Sequence, residues 1–258
     1  MHERLSLYVQ RDSFLHHLNP LTKLTLTFAI ILSSFISPWY WTALALIFVV
    51  VIPLSFVGKV QREYFWTAVR LLVPVAGFIF VMQALFLPLG TREIFRWWIF
   101  HPTYESLAQG FLTAIRIFAM VSAFILFLLS THPSELMSDL TRRGLPGQFA
   151  YVIVSTLQII PQMQAKAQTI IAAQRSRGLD TEGSYTKRVG ALIPLVGPLV
   201  FGSLVEVEER AIAIEARGFT STRRKTFLRE IPDTATDKIL RWVLVGLVFM
   251  VIVAKLWR

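Results

Sequence analysis

The chain has 258 residues, 54% of them hydrophobic and only 16% charged, and a formal net charge of +10. A soluble domain carries about a quarter charged residues; here the apolar excess falls into runs each approaching the ~30 Å hydrocarbon core, which points to an all-α polytopic membrane protein and excludes a transmembrane barrel with its short alternating segments. There is no cysteine, which removes disulfides and thiolate metal sites, and the positive balance reads as cytoplasmic Lys and Arg that set orientation, with no nucleic acid implied.

The opening segment, MHERLSLYVQRDSFLHHLNP, lacks an apolar h-region, so no cleavable signal peptide is expected. Asn19 is placed to cap free backbone N–H groups, and Pro20 suits the first helical position. A first span then runs from Leu21 to Ser37, and SPWYW makes an interfacial turn. A second span covers about Thr42 to Val57. GKVQRE, Gly58 to Glu63, returns the chain to water, and a third span covers Phe65 to Leu87 with a kink expected at Pro74. The aromatic, amphipathic stretch from Gly90 to Ser106 is expected on the far interface. A fourth span, Gly110 to Ser130, carries Arg116 near its start, where the side chain can snorkel to headgroups. A last span covers about Ile239 to Trp257.

Three regions follow: residues 1–130 with four spans, 131–238 as a cytoplasmic block, and 239–258 as the closing span. The block holds fourteen of the 26 Lys and Arg residues and eleven of the 16 acids, which sets it apart from the spans. Its one strongly apolar part, Val189 to Val205, contains Pro194 and Pro198, which argue against a straight membrane-spanning helix; it reads as buried or half-immersed helix leading into the helix that ends at Arg217, and a sixth span stays open. With four spans before the block, it shares a side with Arg4, Arg11, Lys23, Lys59, Arg62 and Arg70. That side is cytoplasmic by the positive-inside rule, so the N-terminus is inside and the C-terminus outside, with Arg92, Arg96, Lys255 and Arg258 as a minor violation.

Within the block, Pro133 and Glu135 fit the start of a short surface helix that Arg142, Arg143 and Gly144 end. A longer helix runs from about Phe149 to Arg177, with Ile160, Met163, Ala167, Ile170 or Ile171 and Gln174 at helical spacing. The next places Leu204, Ala211 and Ile214 near one face, and pairs Glu206 with Arg210 at i,i+4. These two helices end alike, in AQRSRGL (173–179) and AIEARGF (213–219). One reading is a capped helix end, since Arg favours the C-terminal dipole and Gly the left-handed cap. The other is docking: small residues thin the helix tip so that it enters a groove, and the forward arginine donates to an acidic partner. The residues by themselves leave both open.

The paired endings resemble the signature of the transmembrane T component of energy-coupling factor (ECF) transporters, the family that includes the CbiQ-like proteins. That signature is two Ala-Arg-Gly motifs ending two cytoplasmic coupling helices. Ala216, Arg217 and Gly218 match it, as do Ser176, Arg177 and Gly178 with Ser in place of Ala. FLHHLNPLTKL is similar to the family's N-terminal LHxLDPRTK stretch, with Asn19 for Asp and Leu21 for Arg. The resemblance implies a membrane scaffold in a prokaryotic plasma membrane, docked by two ABC ATPase subunits at these six residues. It also implies a small, separate S component that binds a vitamin or metal ion.

No Walker A pattern exists, since Gly58-Lys59 lacks the glycine-rich loop and the following Ser or Thr. ATP is therefore expected on the partner subunits, with no cofactor, no metal and no catalytic residue in this chain. His2, His16, His17, His101 and His132 are scattered, and adjacent histidines do not share a helix face. Ser33, Ser34 and Ser122 lack a base and read as packing hydroxyls. TRRK, Thr222 to Lys225, reads as a solvated or headgroup-facing cluster. A permease binding its own substrate is the main alternative, disfavoured because no acid lies inside the five spans. A lipid-modifying enzyme would need a convergent His, Asp or Ser cluster, and none is evident.

Overall fold

The computed structural model describes residues 8–9, 11–37, 39–87, 102–178, 185–221 and 232–257. The Gly90–Ser106 stretch up to His101, the TRRK cluster and His2 lie outside the described residues. Every extended element among the described residues is helical: α1 (Phe14–His17), α2 (Pro20–Ile36), α3 (Tyr40–Ala45), a π-helical stretch (Leu46–Val51), α4 (Ile52–Val57), α5 (Gln61–Phe86), α6 (Tyr104–Ser130), α7 (Pro133–Arg142), α8 (Gly147–Ser176), α9 (Tyr185–Ala216) and α10 (Ala235–Leu256). Contacts divide the chain into two units. One holds α1–α7 and α10, the other α8 and α9.

In the first unit, α5, α6 and α10 are long and apolar enough to cross a membrane, and two shorter apolar helices, Pro20–Ile36 and Trp41–Val57, accompany them. The all-α membrane architecture expected from composition stands. The second apolar helix runs unbroken through α3, the π stretch and α4. Its wide π turn immediately precedes Pro53, whose ring would otherwise press on the carbonyl one turn back. Of the three long helices α6 is the central one: 44% of its apolar window is buried, against 11% for α5 and none for α10. Helices α5 and α6 approach closely at Gly110, where an added Cβ would stand 3.2 Å from the Phe80 carbonyl oxygen. A small residue there lets the two backbones meet.

Helix starts follow local chemistry. Asn19 Oδ1 accepts from the Leu21 N–H at 3.0 Å, with Pro20 at the first position of α2. Helix α6 begins six residues before the expected span. Thr103 and Ser106 form a reciprocal capping box, and the Ser106 hydroxyl also donates to Ala84 O, 3.1 Å away on α5. Helix α10 begins four residues early for the same reason, through Thr234 and Asp237. Arg70, counted among the cations of the cytoplasmic side, lies inside α5 and is exposed.

Two charged residues expected in water are interior. Lys23 is 3% exposed; its ammonium donates to Ser130 O at 2.9 Å and His16 O at 3.2 Å, neutralising the carbonyl end of α6. Asp237 is 1% exposed and accepts the Asn19 N–H at 3.1 Å, joining the start of α10 to the start of α2. Arg116 also has a partner inside the protein. Its guanidinium donates to Ser37 O at 2.6 Å, closing the C-terminal end of α2. His16 spends both ring nitrogens inside the protein, with Nδ1 2.7 Å from Ser13 Oγ and Nε2 2.9 Å from Val9 O. Burial holds its pKa below the usual histidine value.

Candidate functional site

The two arginine-glycine endings close α8 and α9 in one conformation. At the second, Gly218 has φ +71°, its N–H donates to Glu215 O at 2.8 Å, and the Phe219 N–H donates to Ile214 O at 3.0 Å. These are the two bonds of a Schellman cap, with Gly in the left-handed position that L side chains resist. At the first, Gly178 has φ +89° and its N–H donates to Arg175 O at 3.0 Å; Leu179 lies outside the described residues. Ser176, Arg177, Ala216 and Arg217 are all exposed, as are Ala173 and Ala213 one turn back. Neither the Arg177 nor the Arg217 guanidinium makes a hydrogen bond or ion pair among the described residues.

A third ending of similar spelling shows what distinguishes them. Arg143-Gly144 closes α7, with Gly144 at φ +114°. Here the arginine is used internally, 3.0 Å from Asp233 and 3.7 Å from Asp139. A capped end therefore accounts for the glycine in all three places. It does not account for two guanidinia without a partner among the described residues.

Helices α8 and α9 run antiparallel over their shared contact. Tyr151 meets Phe219 with ring centroids 5.1 Å apart, Gln162 accepts from Arg210 at 3.3 Å, and Lys166 pairs with Glu206. Glu206 also takes Arg210 at 3.1 Å. The Lys166 hydrogen bond, aided by the charges of Lys166 and Arg210, holds the Glu206 carboxyl below the usual carboxylate range against a smaller opposing burial effect. Each arginine tip begins ten residues beyond this central pair. At 1.5 Å per residue that is about 15 Å, so the tips point opposite ways, about 30 Å apart along the helices.

The stripe expected on α8 is largely right: Met163, Ala167, Ile170 and Gln174 are half-buried, although Ile160 is exposed. On α9 the expected face is right only at Ile214. Leu204 and Ala211 are exposed, while Leu195, Leu199, Ser203, Glu206, Arg210 and Ile214 are shielded. The apolar spacing misled because the ion cluster, and not an apolar stripe, turns toward α8. The Lys166–Glu206 pair spans 40 residues and has no local signature; only its i,i+4 half with Arg210 was visible. Large apolar side chains remain exposed on both helices, among them Phe149, Val152 and Leu157 on α8 and Phe201, Leu204 and Ile212 on α9. A patch of this kind marks a contact with a partner or with lipid.

A family profile described as CbiQ, cobalt transport protein, matches residues 11–227. Among similar curated proteins is the energy-coupling factor transporter transmembrane protein EcfT of Leuconostoc gelidum subsp. gasicomitatum, 29% identical over 97% of this chain and 96% of that protein. The proteins of the same name from Limosilactobacillus fermentum and Bacillus selenitireducens are 28% and 30% identical, covering 96% and 90% of this chain and the same shares of their own lengths.

Proposed function

The chain belongs to the CbiQ family, and from that premise we infer that it is the transmembrane T component of an energy-coupling factor transporter. It is the non-catalytic membrane scaffold of a multi-subunit importer in a prokaryotic plasma membrane. Two ABC ATPase subunits dock on Ser176-Arg177-Gly178 and Ala216-Arg217-Gly218. A small membrane S component binds the micronutrient, a vitamin or metal ion, and rests on the exposed apolar surface of α8 and α9.

One observation carries the docking role: two exposed guanidinia, without a partner among the described residues, on glycine-capped tips pointing in opposite directions from one ion-paired crossing. A guanidinium held forward in this way is a strong charge-assisted donor for a carboxylate, and two like tips suit two like partners. When ATP draws the ATPases together, the tips move with them. The Lys166–Glu206–Arg210 cluster makes α8 and α9 respond as a pair, and their apolar surface passes the motion to the S component. ATP itself stays on the partner subunits.

Charge reversal tests this directly. Arg177→Glu with Arg217→Glu should abolish co-purification of the ATPases while leaving membrane insertion intact. Normal assembly and uptake by the doubly changed chain would sink the docking role. Uptake by this chain alone in vesicles would favour a stand-alone permease.

A further inference from the structure

A recess on the first unit is lined by Arg143, Asp233, Lys238, Arg241, Trp242 and Val245. We propose that it is a binding site for an anionic phospholipid, with the phosphate among Arg143, Lys238 and Arg241 and an acyl chain along Trp242 and Val245.

The charges favour an anion. Asp233 is the one acid in the lining, and both of its oxygens are taken: Oδ2 by Arg143 at 3.0 Å and Oδ1 by Arg241. Arg143 also reaches Asp139 at 3.7 Å, yet a guanidinium has five N–H donors and these contacts leave some unused. Arg241 is anchored a second time, through Nε to Asp237 O at 3.2 Å. Lys238 is exposed, and its ammonium makes no hydrogen bond or ion pair among the described residues. The recess thus holds excess positive charge on donors that are already positioned. Its one acid among the described residues is occupied, which disfavours the cationic group of a zwitterionic lipid.

The shape favours a lipid over a free anion. Lys238, Arg241, Trp242 and Val245 stand at i, i+3, i+4 and i+7 on α10, which puts them on one stripe. Val245 lies about 10 Å further along the axis than Lys238, so the stripe passes from cations to apolar side chains. Trp242 is 77% and Val245 52% exposed, and Phe249 beyond them is exposed too. A free phosphate would use only the charged end. An amphiphile uses both, and basic recesses beside membrane helices are suited to such headgroups. Arg143 is the last residue of the first unit before the chain departs for α8, and Asp233 precedes its return at α10. A lipid here would brace the ion pair that ties those two stems together.

The inference rests on the membrane placement of α10 and not on ATPase docking by Arg177 and Arg217, so the two are tested by separate readouts. The full chain is reconstituted in phosphatidylcholine bilayers containing a minor fraction of lipid brominated on its acyl chains. The Trp242 signal is the difference in fluorescence between the chain and Trp242→Phe. Brominated phosphatidylglycerol should quench that signal several-fold more than brominated phosphatidylcholine, and Lys238→Glu should remove the preference, with Lys238→Gln as the milder variant. Equal quenching by the two lipids, or a preference that survives both Lys238 variants, overturns the site. Equal quenching by the two lipids together with a change in the Trp242 signal on adding soluble glycerol phosphate would overturn the lipid assignment in favour of a free phosphate ester.

Discussion

Gly218 shows how one residue shapes the candidate docking tip. Its φ of +71° costs an L side chain about 1–2 kcal/mol, and an added Cβ would have Ser221 Cβ as its nearest neighbour at 3.9 Å. The cost of Gly218→Ala is therefore conformational and not steric. The substitution should loosen the last turn of α9, lowering hydrogen-exchange protection at residue 218 and Phe219, whose N–H groups close the cap, and should weaken retention of the ATPases. Gly246→Ala is the control. That glycine sits inside α10 without a positive φ and with open space around it, so alanine there should be neutral or slightly stabilising. If both variants behave alike, the left-handed cap is not what holds Arg217 forward. Residue-scale features of this kind were legible in the sequence because they are local. Asn19-Pro20, Pro133 and the glycine caps each act within a few residues of themselves.

At the scale of elements, legibility ran out where partners are distant. Lys23 and Asp237 read as solvated charges, because nothing near them in the chain announces Ser130 or Asn19. Arg116 read as a lipid-facing cation for the same reason, its acceptor lying 79 residues away. The capping boxes at Thr103 and Thr234 were local but overlooked, since hydropathy marks where a helix becomes apolar and not where it begins. The α8–α9 crossing joins the two cases, and its chemistry makes a prediction about pH. Because the Glu206 carboxyl is held below its usual range, the folded state favours the charged form. The contribution is fully present above the ordinary Glu value of about 4.3 and is lost as pH falls through the depressed folded value. The chain has no cysteine, so spin labels on Ser176→Cys and Ala216→Cys can report the separation of the tips by pulsed dipolar spectroscopy. A narrow distribution should persist from neutral pH to about 4.3 and broaden below it. Glu206→Gln should be broad throughout, and the swap of Lys166→Glu with Glu206→Lys should narrow it again. A narrow distribution for Glu206→Gln at neutral pH would mean that apolar packing, and not the ion cluster, holds the crossing.

At the scale of the whole molecule, the remaining question is which side each part faces. The sequence answer rests on counting: five apolar helices put the chain's ends on opposite sides, and the charge-rich block assigns the inside. Among the described residues the structure has three apolar helices of full spanning length and two shorter ones. It also supplies α9, one continuous 32-residue helix containing both Pro194 and Pro198, so the prolines that argued against a straight span do not break the helix. Were the first half of α9 to cross the bilayer, the number of spans would be even and both ends would lie inside. Single cysteines decide between the two. Asp12→Cys, Ser176→Cys and Trp257→Cys all fall on exposed positions, and no native thiol competes. With a membrane-impermeant maleimide, Trp257→Cys should label from outside intact cells, and Asp12→Cys and Ser176→Cys only in inverted vesicles. Labelling of Trp257→Cys from the same face as Asp12→Cys would overturn the five-span topology. Labelling of Ser176→Cys from outside would place the first arginine tip where no ATPase could reach it, and would remove the coupling role together with the orientation.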